Sequence, residues 1–582
     1  MGRLALPQNS NAPAATTLGP ELEPDVIIVG SGAGGGMAAY VLTKAGVKVL
    51  MLEAGRNYDP TSETPMLNWE REAPLRGVGT KDKPFGYYDA TVRGGWEIEG
   101  EPYTQADENT GFKWWRSRML GGRTNHWARH VPRFGPYDFK PKTRDGLGVD
   151  WPISYEDIAP YYDRTEALIG VSGSNEGLEN HPDSSPGILQ PPPKPRIHEL
   201  FVQASANDLG IPCVPSRRAI LTRDMPHPHA PRSACYYASP CGRGCAIGAA
   251  FQTTTSLLPM ALATGKLRIV TNAFVHQVRT NAQGKATGVA YFDYRDGSEH
   301  VANARVVILA ASACETARIL LNSAPHGLAN SSGQVGRNLV DTIGVNISAQ
   351  IPGLEGRPRY NEDGNSQEHL YIPWWLYKEQ QAGQLDFPRG YHFEFGGGFG
   401  MPSGWFGIRG MEDGYGAPLK EDIRRYYGSH LGMALRGEMI PNDDCYLDLD
   451  PDQKDRFGVP VARFHWKWSE HELNQIKHGM ETAKQIFEHM GGKLLSKTDR
   501  TPEEAIAAGG EIIHEVGTTR MGTDARSSVT NQYGQTWDVN NLIVVDGGIF
   551  ASNAHKNPTL TIMALAWRCS DELAARMRRH EV

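Results

Sequence analysis

Residues 25–55 read DVIIVGSGAGGGMAAYVLTKAGVKVLMLEAG and decide the fold, because they have the pattern of a strand, a helix and a second strand. The apolar run 26–29 leads into a glycine-rich turn and then into a helical segment of small residues. In the turn, Gly30 permits a tight bend, Gly32 lets a pyrophosphate approach the helix N-terminus, and Gly35 allows the helix to pack closely. The stretch therefore predicts a Rossmann-like βαβ unit that binds a dinucleotide.

Glu53 ends the second strand, 23 residues after Gly30, where a carboxylate suits the diol of a ribose. The strand before the glycines, the helix after them and this acid together favour nucleotide binding over an incidental glycine turn. None of these residues separates FAD from NAD. The chain carries no second fingerprint of this kind, which argues against a flavin monooxygenase or reductase driven by NAD(P)H.

The composition excludes several classes of partner. With 582 residues the chain exceeds the size at which a single core stops growing, so we expect two large domains or one elaborated two-domain enzyme. Its net charge is -7, without long runs of like charge, which argues against nucleic acid or an anionic membrane surface. Its apolar stretches fall short of the roughly 18 residues that a spanning helix needs, so we expect no direct membrane insertion. Small molecules are the expected partners.

Two segments near the C-terminus indicate which nucleotide is bound. Residues 512–523 read IIHEVGTTRMGT, and residues 540–573 read NNLIVVDGGIFASNAHKNPTLTIMALAWRCSDEL. In the second segment, Asn557 and Pro558 suit the beginning of a helix, as an N-cap and a first-turn residue. Free N–H groups such as that of Thr559 stabilise negative charge at a helix N-terminus, and a reduced flavin carries such charge on its N1–O2 edge. These segments favour FAD over NAD.

Two further motifs complete a resemblance to a known family. Residues 116–127 read RSRMLGGRTNHW, and residues 311–323 read ASACETARILLNS. With the βαβ unit and the C-terminal segments, they resemble the glucose-methanol-choline (GMC) oxidoreductases over nearly the whole chain. Cys314 departs from the family pattern, in which a small aliphatic residue is more usual. The resemblance implies an α/β fold, α+β overall, in which a Rossmann-like FAD-binding domain joins a discontinuous substrate-binding domain with an antiparallel sheet.

The resemblance also implies which residues contact FAD. They are Gly30, Gly32, Gly35, Glu53, Gly121, Gly122, Asn125, His126, Val275, Asp546, Gly547, Pro558 and Thr559. Among them, Val275 matches a backbone contact to adenine, and Asp546 matches an acid near the ribityl-phosphate region. His126 matches a histidine that is joined covalently to the flavin in a subgroup similar to pyranose oxidases. For this chain the resemblance implies contact of His126 with the flavin and leaves the covalent bond open.

His514 and Asn557 match the family's catalytic histidine and its partner, which is His or Asn. A neutral imidazole can accept the proton of a substrate hydroxyl while hydride leaves the same carbon for flavin N5. An asparagine can hold the hydroxyl oxygen without competing for the proton. Taken singly, the two residues would be explained as a core histidine and a helix cap. Beside a dinucleotide fold, they predict a catalytic pair.

Residues 233–250 read SACYYASPCGRGCAIGAA and include several glycines. They contain three of the seven cysteines, Cys235, Cys241 and Cys245. Zinc fits their spacing badly, since it prefers close pairs and four ligands, and disulfides would leave one thiol over. Three thiolates can hold three corners of an iron–sulfur cluster, although four are commoner. The candidates for a fourth ligand are His227, His229 and Cys213. Buried thiols without a ligand are the alternative.

The cysteine spacing is similar to that of GMC-like sugar dehydrogenases that carry a three-iron cluster. Those enzymes work with a cytochrome and a small chaperone-like subunit, so the resemblance implies a c-type cytochrome subunit and a chaperone-like subunit as partners. The tail CAIGAA departs from their pattern by one alanine. Because c-type cytochromes are assembled outside the inner membrane, we expect periplasmic export together with a partner subunit, and otherwise a cytoplasmic location.

The order of the motifs divides the chain into segments. We expect a disordered leader (1–24), a first FAD-binding segment (25–59), a lid or insertion (60–115), an FAD-binding signature segment (116–135), a loop-rich insertion (136–230), a further segment of the FAD-binding domain with the cysteine loop (231–344), the substrate-binding domain (345–500) and a final FAD-binding segment with the catalytic pair (501–582). At least one aromatic residue of the substrate-binding domain should face the pocket, from among Trp374, Trp375, Phe393, Phe395 and Trp405.

These expectations combine into one activity. We expect an FAD-dependent dehydrogenase that oxidises a secondary hydroxyl of a sugar or glycoside, at C3, to a ketone by hydride transfer to flavin N5. Its electrons would leave through the iron–sulfur cluster to a cytochrome or another acceptor. The alternatives are a pyranose oxidase-like enzyme that uses oxygen, an aldonate 2-dehydrogenase, and a flavoprotein subunit that relays electrons without a substrate of its own. The cysteine loop distinguishes a dehydrogenase from an oxidase, and the catalytic pair distinguishes an enzyme from a relay.

Overall fold

A computed structural model describes residues 17–58, 93–107, 111–237, 241, 244–358, 368–398, 415–497 and 499–582 of the chain. It confirms the predicted mixed α/β class, because a mostly parallel sheet and a separate antiparallel sheet have six strands each. Helices pack on both sheets, and one continuous hydrophobic core includes residues of both.

The mostly parallel sheet contains the βαβ unit. Its strands are, in spatial order, Thr17–Leu18, Leu267–Thr271, Val49–Glu53, Val26–Val29, Val306–Leu309 and Leu542–Val544. All neighbours are parallel except the first two, which are antiparallel. The strands Val26–Val29 and Val306–Leu309 are buried along their whole length, as is typical of central strands covered on both faces. The carboxyl ends of the parallel strands meet at one edge, where ligands bind in folds of this kind.

The helix Ala33–Lys44 follows the first strand of the unit and packs against the helices Thr559–Arg578 and Leu257–Leu262. Two glycines show why the turn before this helix needs their small size. Gly30 has φ +98°, in the left-handed region, and a Cβ on Gly35 would lie 2.0 Å from the carbonyl oxygen of Gly30. A larger residue at Gly35 would therefore push the helix away from the strand.

The antiparallel sheet lies across a cavity from the carboxyl ends of the parallel strands. Its strands are, in spatial order, Lys493–Leu494, Ile343–Gln350, His430–Gly437, Tyr391–Gly397, Leu370–Ile372 and Val214–Pro215, and all neighbours are antiparallel. The helix Glu470–His489 packs against it. The sheet begins two residues before the predicted 345–500 segment, and it takes its last strand from the predicted insertion 136–230.

The remaining elements are smaller. One three-stranded sheet contains Glu299–Asn303, Ala286–Asp293 and Ala273–Thr280. A second three-stranded sheet contains Tyr446–Lys454, Pro460–His465 and Thr104–Gln105. A two-stranded sheet pairs Arg93–Gly95 with Arg116–Arg118. The other α-helices are Pro136–Phe139, Pro141–Asp145, Tyr155–Ile169, Ile197–Asp208, Ala313–Asn322, Tyr377–Gln381, Gly416–Tyr426 and Pro502–Ala505. Short 3-10 turns occupy Gly122–Asn125, Thr253–Thr255, Pro352–Leu354 and Gly547–Ile549.

Two predicted segments contain more regular structure than we expected. At the end of the predicted leader 1–24, Thr17–Leu18 pairs with the neighbouring edge strand, because that edge still offers free backbone groups. Within the predicted loop-rich insertion 136–230, the helices Tyr155–Ile169 and Ile197–Asp208 form despite the nearby prolines. An acidic side chain in the first turn of each caps the backbone, and buried residues on one face hold each helix to the core.

Most of the predicted insertion 60–115 lies outside the described residues, as do residues 1–16 of the predicted leader. The described residues of the insertion contribute the strands Arg93–Gly95 and Thr104–Gln105. Among the described helices, none combines the length and the apolar character that crossing a membrane requires.

Candidate active site

A cavity of about 460 Å³ lies between the carboxyl ends of the parallel strands and the antiparallel sheet. Most of the residues predicted to bind FAD or to catalyse the reaction line it: Gly30, Gly32, Glu53, Gly122, His126, Val275, His514, Asp546, Gly547, Asn557, Pro558 and Thr559. Three predicted residues do not line it: Gly35, Gly121 and Asn125. Gly35 instead packs behind the glycine turn, as described above.

Gly121 and Asn125 shape the turn that carries His126. A Cβ on Gly121, whose φ is +88°, would lie 2.8 Å from the Thr254 side chain. Asn125 is fully buried; its amide nitrogen donates to the carbonyl oxygen of Leu120 at 2.9 Å, and its amide oxygen accepts from the Thr254 hydroxyl at 3.1 Å. Both residues therefore act on the cavity indirectly, by fixing its wall.

The dinucleotide end of the cavity has the features that the motif predicts. The Glu53 carboxylate is buried and accepts hydrogen bonds from the backbone N–H and the hydroxyl of Ser31, at 3.1 and 2.5 Å, and from the N–H of Gly55 at 2.8 Å. Burial raises the pKa of this carboxyl. A Cβ on Gly32 would contact nothing within 4 Å, so the helix N-terminus is open to the cavity. The open N-terminus and the acid beside it fit the phosphates and the ribose of FAD.

His126 lines the cavity between the two sheets. Its Nε2 atom lies 3.2 Å from the Ser117 hydroxyl, and its ring meets the Trp115 ring edge-on at 5.9 Å between centroids. Burial, together with the nearby guanidinium groups of Arg129 and Arg123, lowers the pKa of His126 to about 3. The imidazole is therefore neutral near pH 7, and a neutral ring can lie against a flavin without placing a buried charge there.

Asp546 lies just after the strand Leu542–Val544 and holds neighbouring segments together. Its carboxylate accepts hydrogen bonds from the backbone N–H of Gly548 at 2.8 Å, the backbone N–H of Ser312 at 3.1 Å and the Thr316 hydroxyl at 2.5 Å. Burial raises the pKa of Asp546 to about 6. The helix Thr559–Arg578 begins nearby, and Pro558 and Thr559 at its start line the cavity. Its free N–H groups fit the negative edge of a reduced flavin.

His514 and Asn557 meet in the cavity, although 43 residues separate them in the chain. Asn557 Nδ2 lies 3.3 Å from His514 Nε2, and Thr342 Oγ1 lies 2.5 Å from His514 Nδ1. Asn557 Nδ2 also donates to Glu394 Oε1 at 3.1 Å, which identifies the nitrogen of the amide because a carboxylate only accepts. Nε2 of His514 is therefore the accepting nitrogen, and Nδ1 carries the proton that is donated to Thr342.

The surroundings of His514 keep it neutral and in place. Burial lowers the pKa of His514 to about 3; Glu394 opposes this shift, and Arg436 adds to it. The backbone N–H of His514 donates to Asp341 Oδ1 at 2.9 Å, and its carbonyl oxygen accepts from the Asn553 amide at 3.2 Å. A neutral, fixed imidazole with an unprotonated Nε2 can act as a general base toward a hydroxyl that takes the place of the Asn557 N–H at that nitrogen.

Several residues of this site were not predicted from the sequence. Thr342 and Asp341 hold His514, while Glu394 and Arg436 line the cavity beside Asn557. The sequence marked the aromatic residues around Glu394 and not the acid itself. A signal was nevertheless present, because a glutamate within the apolar run YHFEFG of a strand must have partners when it is buried.

Four of the five aromatic candidates for the pocket wall belong to the core or pack against it instead. Trp374, Phe393 and Phe395 are buried in the hydrophobic core, Trp375 packs against it, and none of the four lines the cavity. Trp405 lies outside the described residues. The aromatic side chains that do line the cavity come from other segments: Trp115, Trp127 and Phe274.

The three clustered cysteines pack together beside the flavin segment. Cys241 and Cys245 are buried and Cys235 is half-buried, in one small cluster with the apolar residues Ile220, Ile247, Ala249 and Ala250. The buried guanidinium of Arg129 donates to the carbonyl oxygen of Cys241 at 2.5 Å and to that of Asn125 at 2.7 Å. The cysteine loop is thus tied directly to the turn before His126.

The three candidates for a fourth ligand lie in different surroundings. Cys213 packs in the main hydrophobic core and not in the cysteine cluster, and burial raises the pKa of its thiol. His227 and His229 lie next to each other, half-exposed and exposed respectively, with 6.0 Å between their ring centroids.

Comparison with family models and known proteins identifies the chain's relatives. Residues 148–343 and 441–566 match models of the GMC oxidoreductase family, and residues 23–83 match an FAD-binding domain. The chain is 35% identical to 2-methyl-1,2-propanediol dehydrogenase of Mycolicibacterium austroafricanum, with 95% of each chain covered. It is 28% identical to the fructose dehydrogenase large subunit of Gluconobacter japonicus, with 95% of this chain and 98% of that protein covered.

Among solved structures, the fold is similar to that of pyridoxine 4-oxidase from Mesorbium loti. The TM-score is 0.63 at 16% identity, with 94% of this chain and 99% of that chain covered. An FAD-binding domain, the opposed antiparallel sheet and the family match over more than half the chain lead to one conclusion. The chain belongs to the GMC oxidoreductase family and is an FAD-dependent oxidoreductase that acts on CH–OH donors.

Proposed function

We propose that this oxidoreductase is a dehydrogenase for sugars or related polyhydroxy alcohols, and that it oxidises one carbinol group to a carbonyl. The observation that carries the proposal is the pair of His514 Nε2 and Asn557 Nδ2, which lie 3.3 Å apart in the cavity. When bound, FAD supplies the acceptor for the hydride that leaves the carbinol carbon.

His514 and Asn557 have different roles toward the reacting hydroxyl. His514 Nε2 carries a lone pair, so it accepts the hydroxyl proton as the C–H bond breaks. One N–H of Asn557 is donated to Glu394, and the other points toward His514, where it can donate to the oxygen that is losing its proton. Thr342 holds the second ring nitrogen of His514, so the lone pair stays directed at the substrate.

The charges of the cavity support a neutral polyhydroxy substrate. Arg436 lies 3.6 Å from Glu394, and Arg123 forms an ion pair with Glu515 at 2.6 Å. Paired charges of opposite sign offer donors and acceptors to hydroxyl groups without the net positive charge that would favour a carboxylate. This arrangement favours a sugar or polyol over an aldonate. Two relatives are named for 2-methyl-1,2-propanediol and fructose, compounds with neighbouring hydroxyl groups.

Within sugars, we propose the secondary hydroxyl at C3 as the position oxidised, on the strength of the resemblance stated above. The carbon is identified by NMR of the product formed from methyl glucoside. A ketone at C3 is the expected product, and a ketone at C2 or a product oxidised at C6 would contradict the assignment.

The cysteine cluster supports a proposal for how electrons leave. Thiolates are the usual ligands of iron–sulfur clusters, and Cys235, Cys241 and Cys245 pack together in a loop tied to the flavin segment by Arg129. We propose that they hold a three-iron cluster that passes electrons to a c-type cytochrome. The relative named as a large subunit supports a multi-subunit assembly. With a chaperone-like subunit as the export partner, such an assembly would work in the periplasm.

The activity is tested with purified protein under nitrogen. Methyl glucoside, fructose and 2-methyl-1,2-propanediol are each mixed with the holoenzyme, and bleaching of the flavin absorbance is followed. His514→Ala should keep its FAD and bleach at least about a hundredfold more slowly, because general-base assistance is typically worth that much. His489→Ala, at the end of a helix remote from the cavity, is the control and should behave as wild type. Equal bleaching in His514→Ala would contradict the proposal, and no bleaching of wild type by any of the three would favour the electron-relay alternative.

The electron exit is tested by iron analysis of anaerobically purified protein. We expect about three irons per chain, lost when Cys241 is replaced by serine, with flavin bleaching retained and cytochrome reduction lost. Cys445→Ser, which changes a buried thiol in the main core, is the control and should keep its iron. Stoichiometric FAD without iron would refute the cluster, and rapid reoxidation of the reduced flavin by oxygen would favour the oxidase alternative.

A further inference from the structure

Glu394 is a buried acid at the cavity wall that contacts the catalytic pair but has no assigned role in the proposed reaction beyond accepting one N–H of Asn557. It lies on the strand Tyr391–Gly397 and is 5% exposed. Three donors converge on its Oε1 atom: His130 Nδ1 at 3.0 Å, Asn557 Nδ2 at 3.1 Å and His392 Nε2 at 3.3 Å. Hydrogen bonds with His130 and His392 and the nearby charge of Arg436 hold the pKa of the Glu394 carboxyl well below its usual range despite burial, so the group is an anion.

A metal ion is the first alternative for such a cluster, because ligand atoms of His130, His392 and Glu394 lie within 4.8 Å of one another. Two contacts argue against it. The Asn557 amide donates to the same oxygen that a metal would need, and the Arg436 guanidinium lies 3.6 Å from the other carboxylate oxygen. The surroundings therefore suit an anion that accepts hydrogen bonds.

The contact with Glu394 decides which way the Asn557 amide faces. Because the carboxylate only accepts, the amide nitrogen must point toward it, and the second N–H then faces His514. If the amide were reversed, its oxygen would face the reacting hydroxyl and compete with His514 for the proton. A free amide has no such preference between the two orientations.

His392 reinforces this arrangement from the backbone side. Its Nδ1 atom is hydrogen-bonded to the carbonyl oxygen of His555, two residues before Asn557, while its Nε2 atom contacts Glu394. The loop and the side chain of Asn557 are thus held by one His392–Glu394 pair.

Glu394 also acts on the charge of the catalytic base. Burial lowers the pKa of His514, and Glu394 is the largest influence in the opposite direction. When His514 takes the hydroxyl proton it becomes a cation in a buried place. A fixed anion nearby makes that cation less unfavourable.

We propose that Glu394 is a positioning residue of the reaction, which orients the Asn557 amide toward the reacting oxygen and stabilises the protonated form of His514. This inference rests on the proposed function of His514 and Asn557. It predicts that loss of the negative charge slows the chemical step and leaves substrate affinity nearly unchanged, because the charge matters most when His514 becomes a cation.

The test is Glu394→Gln in the holoenzyme, with anaerobic stopped-flow bleaching at several concentrations of the best substrate. Hydrogen bonds to charged groups are worth about 1.5–3 kcal/mol, so we expect the limiting rate to fall about 10- to 150-fold. The apparent dissociation constant should change less than about threefold, and the solvent isotope effect on the rate should increase. Glu199→Gln is the control, since Glu199 is also buried and accepts three backbone N–H bonds, but lies outside the cavity lining.

A double-mutant cycle with Asn557→Ala separates positioning from general stability. In the Asn557→Ala background, where there is no amide to orient, Glu394→Gln should cost less than it does in wild type. Fully additive effects, or a Glu394→Gln rate equal to wild type, would overturn the inference while leaving the role of His514 intact. Bleaching that survives in His514→Ala would instead overturn the proposed function. If Glu394→Gln does not retain FAD, the same cycle uses Glu394→Asp, which keeps the charge and withdraws the carboxylate from Asn557. Additive effects of Glu394→Asp and Asn557→Ala would equally overturn the inference.

Discussion

Replacing Thr342 with valine tests how the structure holds the catalytic base. The Nδ1–H of His514 donates to the Thr342 hydroxyl at 2.5 Å, and Thr342 is 1% exposed. Valine has nearly the same shape but no acceptor, so the substitution leaves a buried N–H without its partner. Either the ring turns, or the proton moves to Nε2, and both changes take the lone pair away from the reacting hydroxyl.

The size of the effect follows from this single bond. A buried donor left unsatisfied costs about 1–3 kcal/mol, which corresponds to about a 5- to 150-fold loss of rate if the whole cost falls on the transition state. The backbone of His514 keeps its contacts with Asp341 and Asn553, at 2.9 and 3.2 Å. We therefore expect FAD content and the fold to be unchanged.

The assay is the limiting rate of flavin bleaching under nitrogen, measured for wild type, Thr342→Val and Thr342→Ser. Serine keeps the hydroxyl and should retain a rate close to wild type. Two results would refute the reasoning: a valine variant within about twofold of wild type, or a serine variant as slow as valine. The second result would show that the hydroxyl of residue 342 is not sufficient to hold the base, because serine keeps that hydroxyl.

The remaining predictions concern the cofactor site and the response to acid. Gly32→Ala should fold but lose FAD, because its Cβ would enter the open cavity. Gly35→Ala should instead destabilise the fold, because its Cβ would lie 2.0 Å from a backbone oxygen. Measurements of thermal unfolding and of flavin content distinguish the two variants. Burial, aided by Arg196, lowers the pKa of His198 from 6.5 to about 3, so between these values the unfolded chain binds a proton that the folded protein does not. The lowered pKa of His198 therefore does not affect stability above pH 6.5. As pH falls below that value it reduces the free energy of unfolding, by about 2.7 kcal/mol near pH 4.5. His198→Gln should therefore lose less stability than wild type between about pH 7 and pH 4.5 in urea unfolding, and an equal loss would contradict the assignment.

The sequence by itself determined the class of the fold and the cofactor. Strand, glycine turn and helix are local patterns, and each depends on residues only a few positions apart: the turn at Gly30 needs positive φ, and the helix after it needs a glycine at position 35. The C-terminal segments are equally local, since Pro558 precedes the helix Thr559–Arg578, whose N-terminus suits an anion, although Pro558 and not the predicted Asn557 is the N-cap. Such features survive in the sequence because short-range sterics and hydrogen bonding dictate them.

Only the tertiary structure decided how the catalytic pair is held and what surrounds it. Thr342 contacts His514, which is 172 residues away in the chain, and Glu394 contacts Asn557, which is 163 residues away. The local sequence around these residues does not indicate either contact. The register of the antiparallel sheet determines which side chains enter the cavity, so Glu394 faces Asn557 while Phe393 and Phe395 on the same strand turn into the core. Side chains alternate between the two faces of a strand, and the sheet's position relative to the FAD-binding domain selects the face that meets the cavity. That selection depends on packing between segments distant in the chain, which a sequence pattern does not record.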